Sequence, residues 1–279
     1  MGLPLHDVAP REGWRWILRG LLLWRSRPLV FIGMVLAFVL GTLSLAATVP
    51  VLGGLAAAAL WPMLTLGMSI AARSAAAGGP VHVLQFIEGL RHPDPARRRA
   101  QWWLCGSFAV VSAAVMLLWS WVDGGTMGDL FKALGEPLSD QRNAEINALL
   151  ADRRLVGGVL TMVVLSGITA VPYWYASALV HWGGQSTRQA LFSSGLAVWR
   201  TRGAFLVNGL GWLLLGMLPL ALVLRLAAML LSPVLSGPLA FTATLAIWAV
   251  FYLSQWFAYV DTFGEPGPDA SSGGPKPAA

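Results

Sequence analysis

Five side chains carry most of the chemistry this 279-residue sequence could perform inside its long apolar stretches: Arg225, His181, Asp123, Asn208 and Gln255. Arg225 is the only formal charge well inside such a stretch. Two readings compete for it: a guanidinium that snorkels to the nearest polar boundary, or an inward-facing cation that binds an anion or pairs with Asp123. His181 lies in Tyr173-Trp174-Tyr175 through His181-Trp182-Gly183-Gly184, either as an ordinary histidine in an aromatic belt or as a lipid or ligand contact. Asn208, Gln255, Thr242 and Thr244 are uncharged and suit hydrogen bonds between helices better than ligation.

No catalytic pattern joins these residues. The glycine pairs at 53–54, 78–79 and 183–184 lack the Gly-x-x-x-x-Gly-Lys-Ser/Thr of a nucleotide loop. Neither His-Glu-x-x-His nor Gly-x-Ser-x-Gly occurs. The four histidines, His6, His82, His92 and His181, have no metal-ligand spacing. A single cysteine, Cys105, excludes an intrachain disulfide framework and reads as a small apolar filler. The expectation is a protein without cofactor or metal and without enzymatic activity.

The elements that must position these residues follow from where charge is missing. Asp, Glu, Lys and Arg are absent from 28–72, 100–122, 155–187, 203–224 and 226–260, all strongly apolar. About 20 apolar residues cross the ~30 Å hydrocarbon core of a bilayer as a helix. Val49-Pro50 and Gly53-Gly54 divide the first stretch into two crossings, so six spans are expected: about 28–48, 50–72, 101–122, 155–182, 203–231 and 238–260. Ser232-Pro233 and Ser236-Gly237-Pro238 separate the last two. Pro62, Pro172 and Pro219 lie within spans and should kink them. Hydrophobic residues make up 56% of the chain and charged residues 11%, against about 25% charged in soluble domains.

The basic residues are distributed asymmetrically about these spans. Arg11 to Arg27, Arg73 to Arg99, Arg188 to Arg202 and Lys276 place fourteen of the nineteen on one side. Loop 123–154 on the other side has four, with six acids. The positive-inside rule puts both termini in the cytoplasm and loop 123–154 in the periplasm. The net charge of +6 sits beside the apolar runs, so anionic lipid headgroups near Arg97, Arg98 and Arg99 account for it better than nucleic acid does. Within the loop, Ser139 followed by Asp140 to Leu150 reads as a capped amphipathic helix. Residues 1–263 form one membrane domain, and the Gly/Pro/Ser-rich tail 264–279 is expected to be disordered and cytoplasmic.

A repeat runs through the basic side. Trp24-Arg25-Ser26-Arg27 precedes the first span and Trp199-Arg200-Thr201-Arg202 the fifth. Upstream of each, in matching register, stand Ile17-Leu18-Arg19-Gly20-Leu21 and Phe192-Ser193-Ser194-Gly195-Leu196. Phe86-Ile87-Glu88-Gly89-Leu90 supplies a third copy before span 3. In the first copy, Arg11, Arg15 and Arg19 recur every four residues with Trp14, Ile17, Leu18 and Leu21 off that stripe. The fold class is therefore an all-α integral membrane protein of six transmembrane helices. Its expected units are three, each a cytoplasmic amphipathic helix (11–25, 81–91, 186–200) followed by a transmembrane hairpin.

Trp24-Arg25-Ser26-Arg27-Pro28-Leu29, Val49 to Gly53, Leu64 to Met68, Val122-Asp123-Gly124-Gly125, and Ala178 to Trp182 through Gly203-Ala204-Phe205 together resemble an uncharacterised family of proteobacterial six-helix inner-membrane proteins. The resemblance covers nearly the whole chain to about Phe263. It implies a bacterial inner-membrane location and carries no activity. Two classes of function are consistent with these features. One is a non-catalytic membrane component that organises lipid or partner proteins; the other is a transporter or channel for a small uncharged or lipidic molecule. A polar cavity reaching mid-membrane, lined by Asn208, Thr242 or Gln255, is expected for transport, and a packed apolar centre for the component.

Overall fold

The computed structural model describes residues 4–48, 50–135, 139–230 and 232–267. Val49 of the first expected turn, the loop acid Glu136, Lys276 and the tail from 268 lie outside these residues. The chain runs as α1 (Glu12–Ser26), α2 (Pro28–Thr48), α3 (Pro50–Ala59), α4 (Trp61–Ala76), α5 (Pro95–Asp123), α6 (Thr126–Gly135), α7 (Asp140–Leu150), α8 (Arg153–Tyr173), α9 (Ala176–His181), α10 (Thr187–Arg200), α11 (Arg202–Gly211), α12 (Leu218–Leu230) and α13 (Pro233–Phe263). Six helical stretches, Pro28–Thr48, Leu52–Ala76, Pro95–Asp123, Arg153–His181, Arg202–Leu226 and Leu235–Phe263, are long and apolar enough to cross a membrane. There is no strand among the described residues.

Pro62, Pro172 and Pro219 each coincide with an interruption of their span. Pro62 follows the break between α3 and α4, Pro172 ends α8, and Pro219 follows a π-helical turn at Trp212–Met217. The cause is common to all three: proline has no N–H to give and its ring crowds the carbonyl four residues back. The break in span 4 is closed by another element. The Tyr175 N–H donates to Ser194 Oγ at 2.9 Å, and that hydroxyl donates to the Val171 carbonyl at 3.2 Å. Ser194 is fully buried on α10, so one side chain satisfies two backbone groups freed by the break. Ser177, just past it, donates to the Pro62 carbonyl at 2.9 Å and so joins the interruptions of spans 4 and 2.

Two boundaries differ from the sequence reading. The turn expected at Ser236-Gly237-Pro238 is absent: α13 starts at Pro233, and Pro238 lies inside it. Pro233 occupies a first-turn position whose N–H would be unpaired anyway, so the helix can begin there. Loop 123–154 holds two helices instead of one. Ser139 caps α7 as expected, its Oγ accepting the Arg142 N–H at 3.2 Å, and α6 precedes it. Gly124 and Gly125 make the turn into α6 at φ +60° and +94°, a region favoured by glycine.

Of the three amphipathic segments, the first and third are the α-helices α1 and α10, whereas the second is two 3₁₀ turns, Val83–Ile87 and Gly89–Arg91. Pro80, Gly89 and Pro93 leave too short an uninterrupted stretch there for an α-helix. Phe86 is buried against Phe38 and Phe192 is exposed, so these matched positions occupy unlike environments. The three elements do share a contact order. α1 packs on α11 and α13 of the last hairpin, the 3₁₀ turns on α4 of the first, and α10 on α8 and α9 of the middle one. The second 3₁₀ turn rests mainly on α5 of the hairpin that follows it, so α1, the first 3₁₀ turn and α10 are the elements that lean on a hairpin other than the one that follows them.

α1 shows how this is done. Gly13, Trp16, Ile17 and Gly20 fall at i, i+3, i+4 and i+7 and are its buried stripe. A Cβ on Gly13 would stand 2.0 Å from the Ala204 carbonyl oxygen, so the two backbones meet directly. Trp16 Nε1 donates to Asp261 Oδ2 at 2.8 Å, and both terminal nitrogens of Arg19 hydrogen-bond to the same carboxylate.

Candidate functional site

Two places combine space with chemistry. The first is a cavity of about 1040 Å³ among spans 2, 3, 4 and 6. Its size reaches the upper end of the roughly 300–1,000 Å³ range of ligand pockets. Trp61 beside the span 2 break and Tyr173 and Trp174 at the span 4 break contribute to one part of its wall, Phe251 and Gln255 of α13 to another. Phe108 to Ser120 of α5 complete it. The lining is mainly apolar, with hydroxyls such as Ser112, Ser166 and Thr169, and includes no Asp, Glu, Lys, Arg or His. At 1.5 Å per residue, Phe108 to Ser120 is a run of about 18 Å along α5, more than half of a ~30 Å hydrocarbon layer.

The second place is where α5 begins. Asp94 caps the helix, its Oδ1 accepting the Ala96 N–H at 2.8 Å. The Arg97 side chain turns inward: Nη1 donates to the His181 carbonyl at 2.8 Å, and Nε faces Asp94 Oδ2 at 3.4 Å without the alignment of a hydrogen bond. The rings of His92 and His181 meet edge to face at 5.1 Å. Burial and then the neighbouring Arg97 hold the His92 imidazole below its ordinary pKa, so it is kept neutral. Outside this cluster, Arg98 and Arg99 with Trp102 and Trp103 line a surface groove of about 440 Å³. The triplet Arg97-Arg98-Arg99 is therefore divided, one arginine inside and two out.

The structure does not bring the five sequence candidates together. Arg225 is exposed on α12 and has no hydrogen bond or ion pair with any described residue. Its pairing with Asp123 does not occur: Asp123 is buried beside Gly158 and accepts the Met127 N–H, at 3.2 and 3.1 Å from its two oxygens, as the cap of α6. Asn208 is buried on α11, where its backbone lies beneath Gly13 of α1. His181 joins the cluster at the start of α5. Gln255 alone lines the large cavity; Asn208 and Thr242 do not. Sequence reading gives His92, Ser194 and Trp174 no site role and does not single out Asp261. An acid at the end of the last apolar run, facing the Arg11-Arg15-Arg19 stripe, was the one available signal for Asp261.

The chain is similar to a protein of Burkholderia thailandensis described as a probable inner membrane protein, 29% identical over 270 residues that cover 95% of this chain and 96% of that one. No family model matches the chain, and neither does any solved structure. End-to-end similarity to a probable inner membrane protein and six apolar helices agree with the resemblance read from the sequence and with a polytopic membrane protein.

Proposed function

We propose that this protein is a non-catalytic component of the inner membrane that organises lipid, with both termini in the cytoplasm. The observation that carries the reading is the outer face of α5, where Arg98, Arg99, Trp102 and Trp103 surround a groove at the basic end of a span. Tryptophan prefers the headgroup level, and each arginine near an anionic surface contributes about 1 kcal/mol. The orientation rests on the fourteen basic residues that the sequence assigns to this side of the spans. The non-catalytic part of the proposal rests on the missing sequence patterns for hydrolysis, nucleotide binding and metal ligation.

Reporter fusions at Gly135 and after Asp261 test the orientation; a cytoplasmic signal at Gly135 overturns it. For lipid, the protein is reconstituted in vesicles of phosphatidylglycerol and phosphatidylcholine, and the lipid retained after re-extraction is quantified. Enrichment of phosphatidylglycerol that drops about thirtyfold in an Arg98→Gln/Arg99→Gln variant is expected. No enrichment removes the proposal. The second reading, transport of a small uncharged or lipidic molecule, draws on the cavity and on the two interrupted spans, 2 and 4, that line it, since broken helices at mid-membrane depth recur in transporters. Movement of labelled lipid between leaflets faster than in empty vesicles would favour that alternative.

A further inference from the structure

The large cavity has two properties that general lipid contact does not require. Its wall runs into the outer surface of the bundle: Met116, Leu117 and Met162 line it and are 49%, 71% and 36% exposed. Hydrocarbon from the surrounding leaflet can therefore reach it. Deeper in, two buried polar atoms of lining residues have no hydrogen-bond partner, the Gln255 Oε1 acceptor and the Trp174 Nε1–H donor. Gln255 as a whole is only 7% exposed. Both flank Phe251. The Trp174 ring lies 6.1 Å from that of Phe251, and Gln255 Nε2 donates to the Phe251 carbonyl at 3.4 Å.

An unpaired buried donor and acceptor are costly, and native structures seldom keep them without a partner. A plain acyl chain would satisfy neither. A charged headgroup is unsuited, since no lining side chain could balance its charge in so apolar a space. The group that fits is neutral and both donates and accepts: a hydroxyl, a protonated carboxyl or a primary amide. We propose that the cavity binds a neutral long-chain amphiphile, with that group between Gln255 and Trp174 and its tail running toward Met116 and Met162. The Trp174 indole donates to the oxygen of the ligand, and the ligand O–H or N–H donates to Gln255 Oε1. This goes beyond the proposed headgroup contacts at Arg98 and Arg99, and either can fail without the other.

The full chain is reconstituted in phosphatidylcholine vesicles with a long-chain alcohol bearing a tail diazirine, or with the matching diazirine alkane that lacks the hydroxyl. After irradiation the labelled peptides are identified by mass spectrometry. The alcohol should label 108–120 and 162–174, roughly three- to tenfold more than the alkane, the factor that one or two neutral hydrogen bonds supply. Gln255→Leu should lower the alcohol to the alkane level while the melting temperature stays close to that of the parent. Ala113→Trp, which fills the cavity, should remove labelling by both. Competition by unlabelled alcohol, but not alkane, gives the same answer if that variant fails to fold. Equal labelling by both probes in the parent protein, or labelling spread evenly over lipid-facing residues, overturns the proposal.

Discussion

Trp16, Phe31, Met68, Tyr175 and Tyr259 are all fully buried, and all lie toward the end of the bundle that carries the arginines. Toward the end that carries α6 and α7, Leu117, Trp121, Val163 and Ile168 are 64–83% exposed, and the large cavity opens there. Exposed apolar side chains occur near the arginines too, Leu29 at 82% and Trp199 at 69%, so outward-facing apolar surface does not account for the difference in packing inside. The interfacial elements do. α1, the first 3₁₀ turn and α10 each press on a neighbouring hairpin at the arginine end, whereas at the other end, among the described residues, α6 and α7 pack mainly on each other. In lipid, helices gain little from burying apolar surface, and close packing with internal hydrogen bonding must hold them together. One end has both; the other leaves room for a guest.

The largest effect should come where backbones touch. Gly13→Ala would place a methyl 2.0 Å from the Ala204 carbonyl oxygen, and only separation of α1 from α11 relieves it. A loss of about 3 kcal/mol or more is expected, read as a large drop in melting temperature in detergent. The contrasting variant is Gly167→Ala on α8, where a Cβ meets nothing within 4 Å. It should be neutral or stabilising by up to about 1 kcal/mol through helix propensity. Comparable losses in both variants would break the contrast.

Next comes the break in span 4. Ser194→Ala removes the acceptor of the Tyr175 N–H, leaving that buried donor unpaired, and takes from the Val171 carbonyl one of its two donors, the other being the Trp174 N–H. About 1–3 kcal/mol should be lost. Ser194→Thr should keep most of the stability if the extra methyl is accommodated. An unaltered melting temperature for the alanine variant would mean that α10 does not hold the break closed.

A smaller effect depends on pH. His92 in the folded protein sits below the ordinary value of 6.5 because burial and Arg97 oppose its charging. As pH falls below 6.5 the unfolded chain takes up a proton that the folded one resists, so stability should be lost toward acid pH. Glu88 acts in the opposite sense. Burial raises its pKa, so its contribution is present at acid pH and lost as pH rises through that raised value. The difference in melting temperature between the parent protein and His92→Gln, measured at pH 7.5 and 5.5, isolates the histidine. The parent should fall more steeply toward pH 5.5.

The six spans were legible because a charge-free run of twenty residues needs no knowledge of its neighbours. α1 was legible for a local reason too: arginines four apart declare a helix face. The middle copy of the repeat was misread because the matched letters Phe, Gly and Leu do not register how closely Pro80, Gly89 and Pro93 confine the segment. Long-range partners stayed hidden. Asp261 binds Arg19 across 242 positions, and the donor and acceptor of the cavity come from Trp174 and Gln255 on different hairpins. Nothing in a single sequence pairs such residues. Nor could it show that Ser194, one small polar residue on an amphipathic helix, closes a break in another helix.

Arg225 should give the smallest effect, and its size tests the open end of the bundle directly. A bundle-facing arginine would have left a buried charge and a partner to disturb, at a cost of about 3–5 kcal/mol when one member of a buried pair is removed. Arg225 instead is exposed and touches no polar group among the described residues. A long arginine stem in that position lies along apolar surface while its head seeks water. Leucine in its place presents a surface that lipid accepts at least as readily, since arginine within a span is disfavoured and leucine favoured. Arg225→Leu should therefore change the melting temperature by no more than about 0.5 kcal/mol would, and Arg225→Lys should behave like the parent. A clear loss of stability in the leucine variant, rescued by lysine, would mean that the second half of span 5 makes contacts this arrangement lacks, and the contrast between the two ends would have to be redrawn.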